Sequence, residues 1–134
     1  LDSTVAYLKE RVQFGRKIAS YQAVKHKAAD MMLKVEAARS AIYYAACIAD
    51  EFFQGGELSV ELPEAASIAK AYCSDAYFHN AGTGIQLHGG VGFTAEYDIQ
   101  LYFKRAKSTE TFLGNASYHR ERLARTLLDG SDLL

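Results

Sequence analysis

One unbroken helical period constrains this chain more than any other feature. Val24, Ala28, Met31, Val35, Ala38, Ile42, Ala45, Ala49 and Phe52 recur every three or four positions, with no proline or glycine between Ser20 and Gly55. The spacing predicts one amphipathic helix of about nine turns. Ser20 is its candidate N-cap, and Gly55-Gly56 is its stop.

The remaining sequence supplies further helices. Val5, Leu8 and Val12 share a helical face from Leu1 to about Gln13, with Gly15 as the terminating residue. After a polar linker, Gly56 to Leu62, Pro63 suits a first helical turn, with Glu61 and Glu64 near the positive end of the helix dipole. Ala65, Ile68, Ala69, Tyr72, Ala76, Thr83 and Leu87 then mark a buried face that runs to Gly89-Gly90. Another helix is predicted near Asp98 to Phe112, and a last one reaches Leu128 from Asn115 as N-cap. No strand alternation extends over more than a few residues. Short connections between long helices predict an all-α, antiparallel up-and-down bundle of the four-helix type with an extra C-terminal helix.

A length of 134 residues fits one domain, and a formal charge of -1 argues against a polyanion-binding surface, so nucleic acid is not an expected partner. Cys47 and Cys73 each sit in an apolar helical stretch rather than a spaced framework, and are read as buried thiols of a reducing compartment. No apolar run reaches the roughly 18 residues of a membrane span, and no signal peptide is evident, so the expected location is the cytoplasm or an organelle matrix. The first residue is Leu1, already inside a helical pattern. The chain is therefore expected to be a piece of a larger protein.

Metal chemistry finds little support. His26, His79, His88 and His119 form no pair at i and i+4, no His-Glu-x-x-His occurs, and the Glu-x-x-His motifs of a di-iron bundle are absent. Two other spots stand out. In Gln86-Leu87-His88-Gly89-Gly90-Val91-Gly92-Phe93, three glycines among four residues remove side chains where a ligand or another chain can approach the backbone, although read alone a helix C-cap and turn is the simpler account. In Glu10-Arg11-Val12-Gln13-Phe14-Gly15, Arg11 has the fork geometry that holds a phosphate, or it forms a surface ion pair.

Both spots, in this order and separation, resemble the C-terminal helical domain of the acyl-CoA dehydrogenases. The resemblance spans nearly the whole chain and rests on Glu10-Arg11 with Phe14-Gly15, Gln22, Ala29-Asp30-Met31 with Ala38-Arg39, and Ala69-Lys70. It continues through Gln86 with Gly89-Gly90, Gly92-Phe93, Glu96-Tyr97 and Ala106-Lys107. It implies residues 1–134 as the C-terminal domain of a flavoprotein whose N-terminal helical and central β domains lie outside this sequence. The implied reaction is α,β-dehydrogenation of an acyl-CoA thioester in fatty acid metabolism, with electrons passing through FAD to an electron-transfer flavoprotein. The implied assembly is a tetramer, homo- or hetero-oligomeric, with this bundle at its core. By the same resemblance, Arg11, Phe14, Gln22, Gln86, Gly89 and Gly90 contact FAD, and Val12 and Gln13 fill positions that also line the cofactor.

The sequence departs from the family pattern at the general base. Relatives usually place a glutamate immediately before a glycine after the Ala-Lys pair; counted from Ala106-Lys107 to Gly114, that position is Leu113. Leucine cannot accept a proton. Three readings follow: a base on an earlier helix upstream of Leu1, a non-catalytic subunit paired with a complete one, or Glu110 as a substitute about one turn away. A helical interaction module with no cofactor is the competing class.

Overall fold

The computed structural model describes residues 1–129, and their order is five α-helices, one short hairpin and three 3-10 turns. The helices are α1 (Asp2–Glu10), α2 (Gln22–Gln54), α3 (Leu62–His88), α4 (Ile99–Glu110) and α5 (Ala116–Asp129). The chain is all-α, as the periodicity predicts, and α2 ends at Gly55 in a left-handed conformation, φ 74°. Among the described residues no helix is long and apolar enough to cross a membrane.

The packing divides into two compact units: Leu1–Val35 with Ala76–Thr109, and Glu36–Asp75 with the residues from Glu110 onward. In the first, Lys27 bonds Gln86 and Met31 bonds Asn80, so rising numbers on α2 meet falling numbers on α3. The two helices are antiparallel there. Its core contains Leu8, Met31, Ala81, Ile85, Ile99 and Ala106, and the amide of Asn80 donates a buried 3.0 Å bond to the Met31 carbonyl. Small residues on α3 bring its neighbours close. A Cβ on Gly84 would stand 2.8 Å from Ile99 Cδ1 and 3.1 Å from Thr4 Oγ1, so α1 and α4 both press against that glycine.

In the second unit, Cys73 Sγ donates to the Ala38 carbonyl at 3.6 Å, and Tyr44 donates to the Glu61 carboxylate at 2.7 Å. The hydrogen bond and charge of Glu61 hold the Tyr44 phenol above its ordinary range, and burial pushes the Cys73 thiol up, against the nearby Lys70 charge. The helix α5 begins as its sequence predicts: Asn115 Oδ1 accepts the Tyr118 backbone N–H at 2.8 Å. Before it, Leu113 and Gly114 are both left-handed, φ 58° and 94°. His119, buried on α5, holds this turn: its Nε2 lies 2.9 Å from the Leu113 carbonyl and its Nδ1 3.3 Å from Ser67 Oγ. A carbonyl only accepts, so Nε2 carries the hydrogen.

Several expectations are corrected. The first helix stops at Glu10 rather than Gln13, because residues 12–17 turn back as an antiparallel hairpin, β1 (Val12–Gln13) and β2 (Arg16–Lys17), pairing Val12 with Lys17 and Gln13 with Arg16. Its two central residues, Phe14 and Gly15, are left-handed at φ 52° and 78°, as a tight two-residue hairpin requires. Ser20 is not an N-cap: its hydroxyl donates back to the Lys17 carbonyl at 2.7 Å, closing a 3-10 turn (Ile18–Ser20) before α2 starts at Gln22. The Gly56–Leu62 linker is largely a second 3-10 turn, Glu57–Glu61. Ile42, Phe52, Ile68 and Tyr72 are exposed rather than buried, and so is Cys47. The apolar faces of α2 and α3 are wider than the stripe their own unit covers.

Two substitutions test this account. Gly92 sits in the turn after α3 (Gly89–Phe93), where a Cβ would lie 2.8 Å from the Ile85 carbonyl oxygen, a backbone atom with little room to yield. Gly92→Ala is expected to lower stability by about 1–3 kcal/mol in urea unfolding, an overpacking cost, whereas Gly90→Ala, which meets nothing within 4 Å, is expected to leave the midpoint nearly unchanged. Phe14 is 91% exposed in a conformation that favours asparagine over aromatic residues. Phe14→Asn is expected to stabilise the chain by about 0.5–1 kcal/mol; an unchanged or lower midpoint would mean the ring contributes more to folding than its exposure implies.

Candidate functional site

The hairpin, the C-terminal end of α1 and the end of α3 enclose a cleft of about 630 Å³ in the first unit. Its volume falls in the range of small-molecule sites. Six of the eight residues that the resemblance places against FAD line it: Arg11, Gln13, Phe14, Gln86, Gly89 and Gly90. Val12, in β1, does not. Nor does Gln22, which opens α2 beside the cleft and donates from Nε2 to His26 Nε2 at 2.8 Å.

Each lining residue is placed by a local reason. Arg11 caps α1, its N–H bonded to the Tyr7 carbonyl, and its carbonyl accepts from the Ile18 N–H at 2.9 Å, which closes the hairpin against the helix end. The Arg11 side chain is exposed and forms no ion pair among the described residues. Tyr21 braces the hairpin from below: its hydroxyl donates to the Gln13 carbonyl at 3.3 Å, and the Arg16 guanidinium stacks 3.9 Å over its ring. The hairpin tip then carries Phe14 outward.

On the opposite wall, α3 ends where Gly89 turns left-handed at φ 67°. Gly89 therefore has a conformational requirement, but Gly90 has none, and an added Cβ would meet no atom within 4 Å at either. Internal packing does not explain a glycine at position 90. The bare backbone faces open space inside the cleft, which fits the close approach of a bulky group from outside this unit. Gln86, one turn earlier, is exposed, and its side-chain carbonyl accepts a 2.6 Å bond from Lys27 Nζ.

The floor is aromatic. His88 stacks on Tyr7 with centroids 4.2 Å apart, and Tyr97 meets both rings edge-on. The Tyr7 hydroxyl donates to the His88 carbonyl at 3.2 Å, and His88 Nδ1 lies 2.7 Å from the Gly84 carbonyl, so that nitrogen carries the hydrogen. Sequence reasoning missed Tyr7, Tyr21 and His88. Tyr7 lies one helical turn before Arg11, a signal that was available; Tyr21 belongs to the cleft only because residues 12–17 fold back. Among the described residues no group of three or more His, Cys, Asp or Glu converges to hold a metal.

Leu113 and Glu110 belong to the second unit and do not line this cleft. Leu113 is 74% exposed in the left-handed turn after α4, beside an equally open Phe112. Glu110 is the last residue of α4; the residue is half-buried, and its main-chain carbonyl accepts from Lys70 Nζ at 3.2 Å.

The family profile described as "Acyl-CoA dehydrogenase, C-terminal domain" matches residues 1–128. Among curated proteins, the chain is 40% identical over 125 residues to the acyl-CoA dehydrogenase IpdE2 of Mycolicibacterium smegmatis, which covers 93% of this chain and 35% of that protein. Among solved structures it is similar to butyryl-CoA dehydrogenase from Megasphaera elsdenii, with a TM-score of 0.83, 32% identity, and coverage of 95% of this chain and 31% of that one. A solved FAD-dependent dehydrogenase, 28% identical, gives the same TM-score of 0.83 over 95% of this chain and 32% of its own. The chain thus spans about a third of the length of the proteins it matches. Helical order, profile and relatives agree: this chain belongs to the acyl-CoA dehydrogenase family, as its C-terminal domain.

Proposed function

We propose that the cleft holds part of an FAD molecule, and that this chain is the cofactor-contacting and oligomer-forming domain of a flavoprotein that dehydrogenates an acyl-CoA thioester between its α and β carbons. One observation carries the reading: glycines 89 and 90 leave their backbone open inside a cleft that also gathers Arg11, Gln13, Phe14 and Gln86. The residues present fit such a group. Arg11 offers an unshared guanidinium to a pyrophosphate, Gln86 offers an amide, and Phe14 offers a flat apolar face at the hairpin tip. The relatives, an acyl-CoA dehydrogenase and an FAD-dependent dehydrogenase, support the same assignment. Bound FAD would supply the acceptor for the β hydrogen as hydride, and removal of the α proton would need a general base.

The whole protein, in this reading, acts without a membrane span as a homo- or hetero-tetramer in the bacterial cytoplasm or mitochondrial matrix, and passes electrons to an electron-transfer flavoprotein. The cleft residues bind and orient; they do not move the proton. A specific observation favours a second reading for the base. The aligned position holds Leu113, open to solvent, and Glu110 closes α4 outside the cleft. The base then comes from a helix upstream of Leu1 or from a complete partner subunit, with this chain in a non-catalytic one; Glu110 is the weaker substitute.

Two measurements test the proposal on the flavin-stripped oligomeric protein that carries this domain. Arg11→Ala is expected to weaken FAD binding by about tenfold or more, the loss of a charge-assisted contact, read by flavin fluorescence quenching. A folded parent that stays colourless under excess FAD would instead leave a helical interaction module. For the base, Leu113→Glu is expected to create turnover with acyl-CoA in a subunit that lacks one; an already active parent left unchanged by it places the base elsewhere.

A further inference from the structure

A cation outside the cleft's lining bonds one of the residues that line it, and the family resemblance does not single it out. Lys27, on α2, is half-buried, and its ammonium donates a 2.6 Å hydrogen bond to Gln86 Oε1 across a separation of 59 residues. No carboxylate pairs with Lys27 among the described residues. The contact fixes a choice that a glutamine otherwise leaves open. A primary amide presents an acceptor at one end and two donors at the other, and a lone glutamine can turn either way to suit a ligand. An ammonium has donors only, so it accepts just one of these two orientations. With Oε1 held by Lys27, the exposed end of Gln86 is its NH2 group.

We propose that Lys27 is a positioning residue that locks the Gln86 amide with its donors toward the cleft and places a positive charge behind them. The inference rests on the FAD reading and sharpens it: the atoms recognised at Gln86 are hydrogen-bond acceptors, such as phosphate or ribose oxygens or a ring carbonyl, and not donors such as an exocyclic amine. Bonding to an ammonium also polarises the amide, which makes its N–H groups stronger donors. Arg11 and Gln86, both lining the cleft and the latter held by Lys27, therefore present donors to the same ligand.

The test is a coupling measurement on the flavin-stripped oligomeric protein, with FAD as the titrant. Lys27→Met keeps the apolar stem and removes the donor; it is expected to weaken FAD binding by about tenfold, while Lys27→Arg stays within about threefold of the parent because it preserves the donor and the charge. In a Gln86→Leu background, Lys27→Met is expected to add less than about a twofold further loss, because its effect passes through the amide. Gln86→Glu offers a check independent of Lys27 variants that fold badly. A carboxylate there pairs with Lys27 but presents no donor, so it is expected to bind FAD more weakly than Gln86→Leu. Losses that multiply in the double variant, a Lys27→Met protein that binds like the parent, or a Gln86→Glu protein that binds like the parent would each overturn the positioning role. A parent that binds no FAD overturns the cofactor reading itself, so the two failures are distinguishable.

Discussion

The first unit depends on how closely α1 and α4 can approach α3 at Gly84. With a Cβ there, Ile99 and Thr4 would both have to retreat, since they already stand within van der Waals distance of the missing atom. The contact sets where α1 lies, and α1 sets everything at its end. Tyr7 stacks on His88 one turn beyond Gly84, and Arg11 follows Tyr7 by one turn on α1. The two walls of the cleft are thus spaced by a glycine that never touches it. A buried Asn80 amide, bound to the Met31 carbonyl, fixes α2 to α3 in the same unit and so fixes the reach of Lys27 to Gln86.

Much of this was legible in the residue order. The uninterrupted period from Val24 to Phe52 predicts α2 to within about two residues at each end, because left-handed glycine terminates a helix at a defined place. Asn115 as N-cap and Pro63 in a first turn follow from equally local chemistry, and both stand where expected. The hairpin at residues 12–17 was not legible. Its strands are two residues each, too short for alternation to register, and its turn places a phenylalanine where asparagine is the usual signal. Exposure on α2 and α3 was also misjudged, since periodicity reveals which side of a helix is apolar but not how much of that side its own chain covers.

The candidate site was legible in part, for a different reason. Arg11, Gln86 and the glycine pair stood out as dense spots at helix ends that match the family pattern, and Arg11 lies more than 70 residues before the other three yet shares one cleft with them. Lys27 gave no such signal. A lysine on an amphipathic helix normally reaches solvent, and only the antiparallel register of α2 and α3 brings its ammonium to one particular amide. Glycine 90 required the structure too: its meaning rests on the empty space above it, which no spacing rule encodes.

The turn at Leu113 separates shape from chemistry. His119 grips the main-chain carbonyl of residue 113, and Gly114 supplies the tight approach to Tyr118, so neither anchor consults the side chain at 113. That side chain points into solvent, already in a left-handed conformation that leucine tolerates poorly. A residue exchanged there leaves the scaffold standing. The turn therefore keeps its shape whatever side chain stands at 113, so the geometry of this segment and the chemistry it displays are set by different atoms.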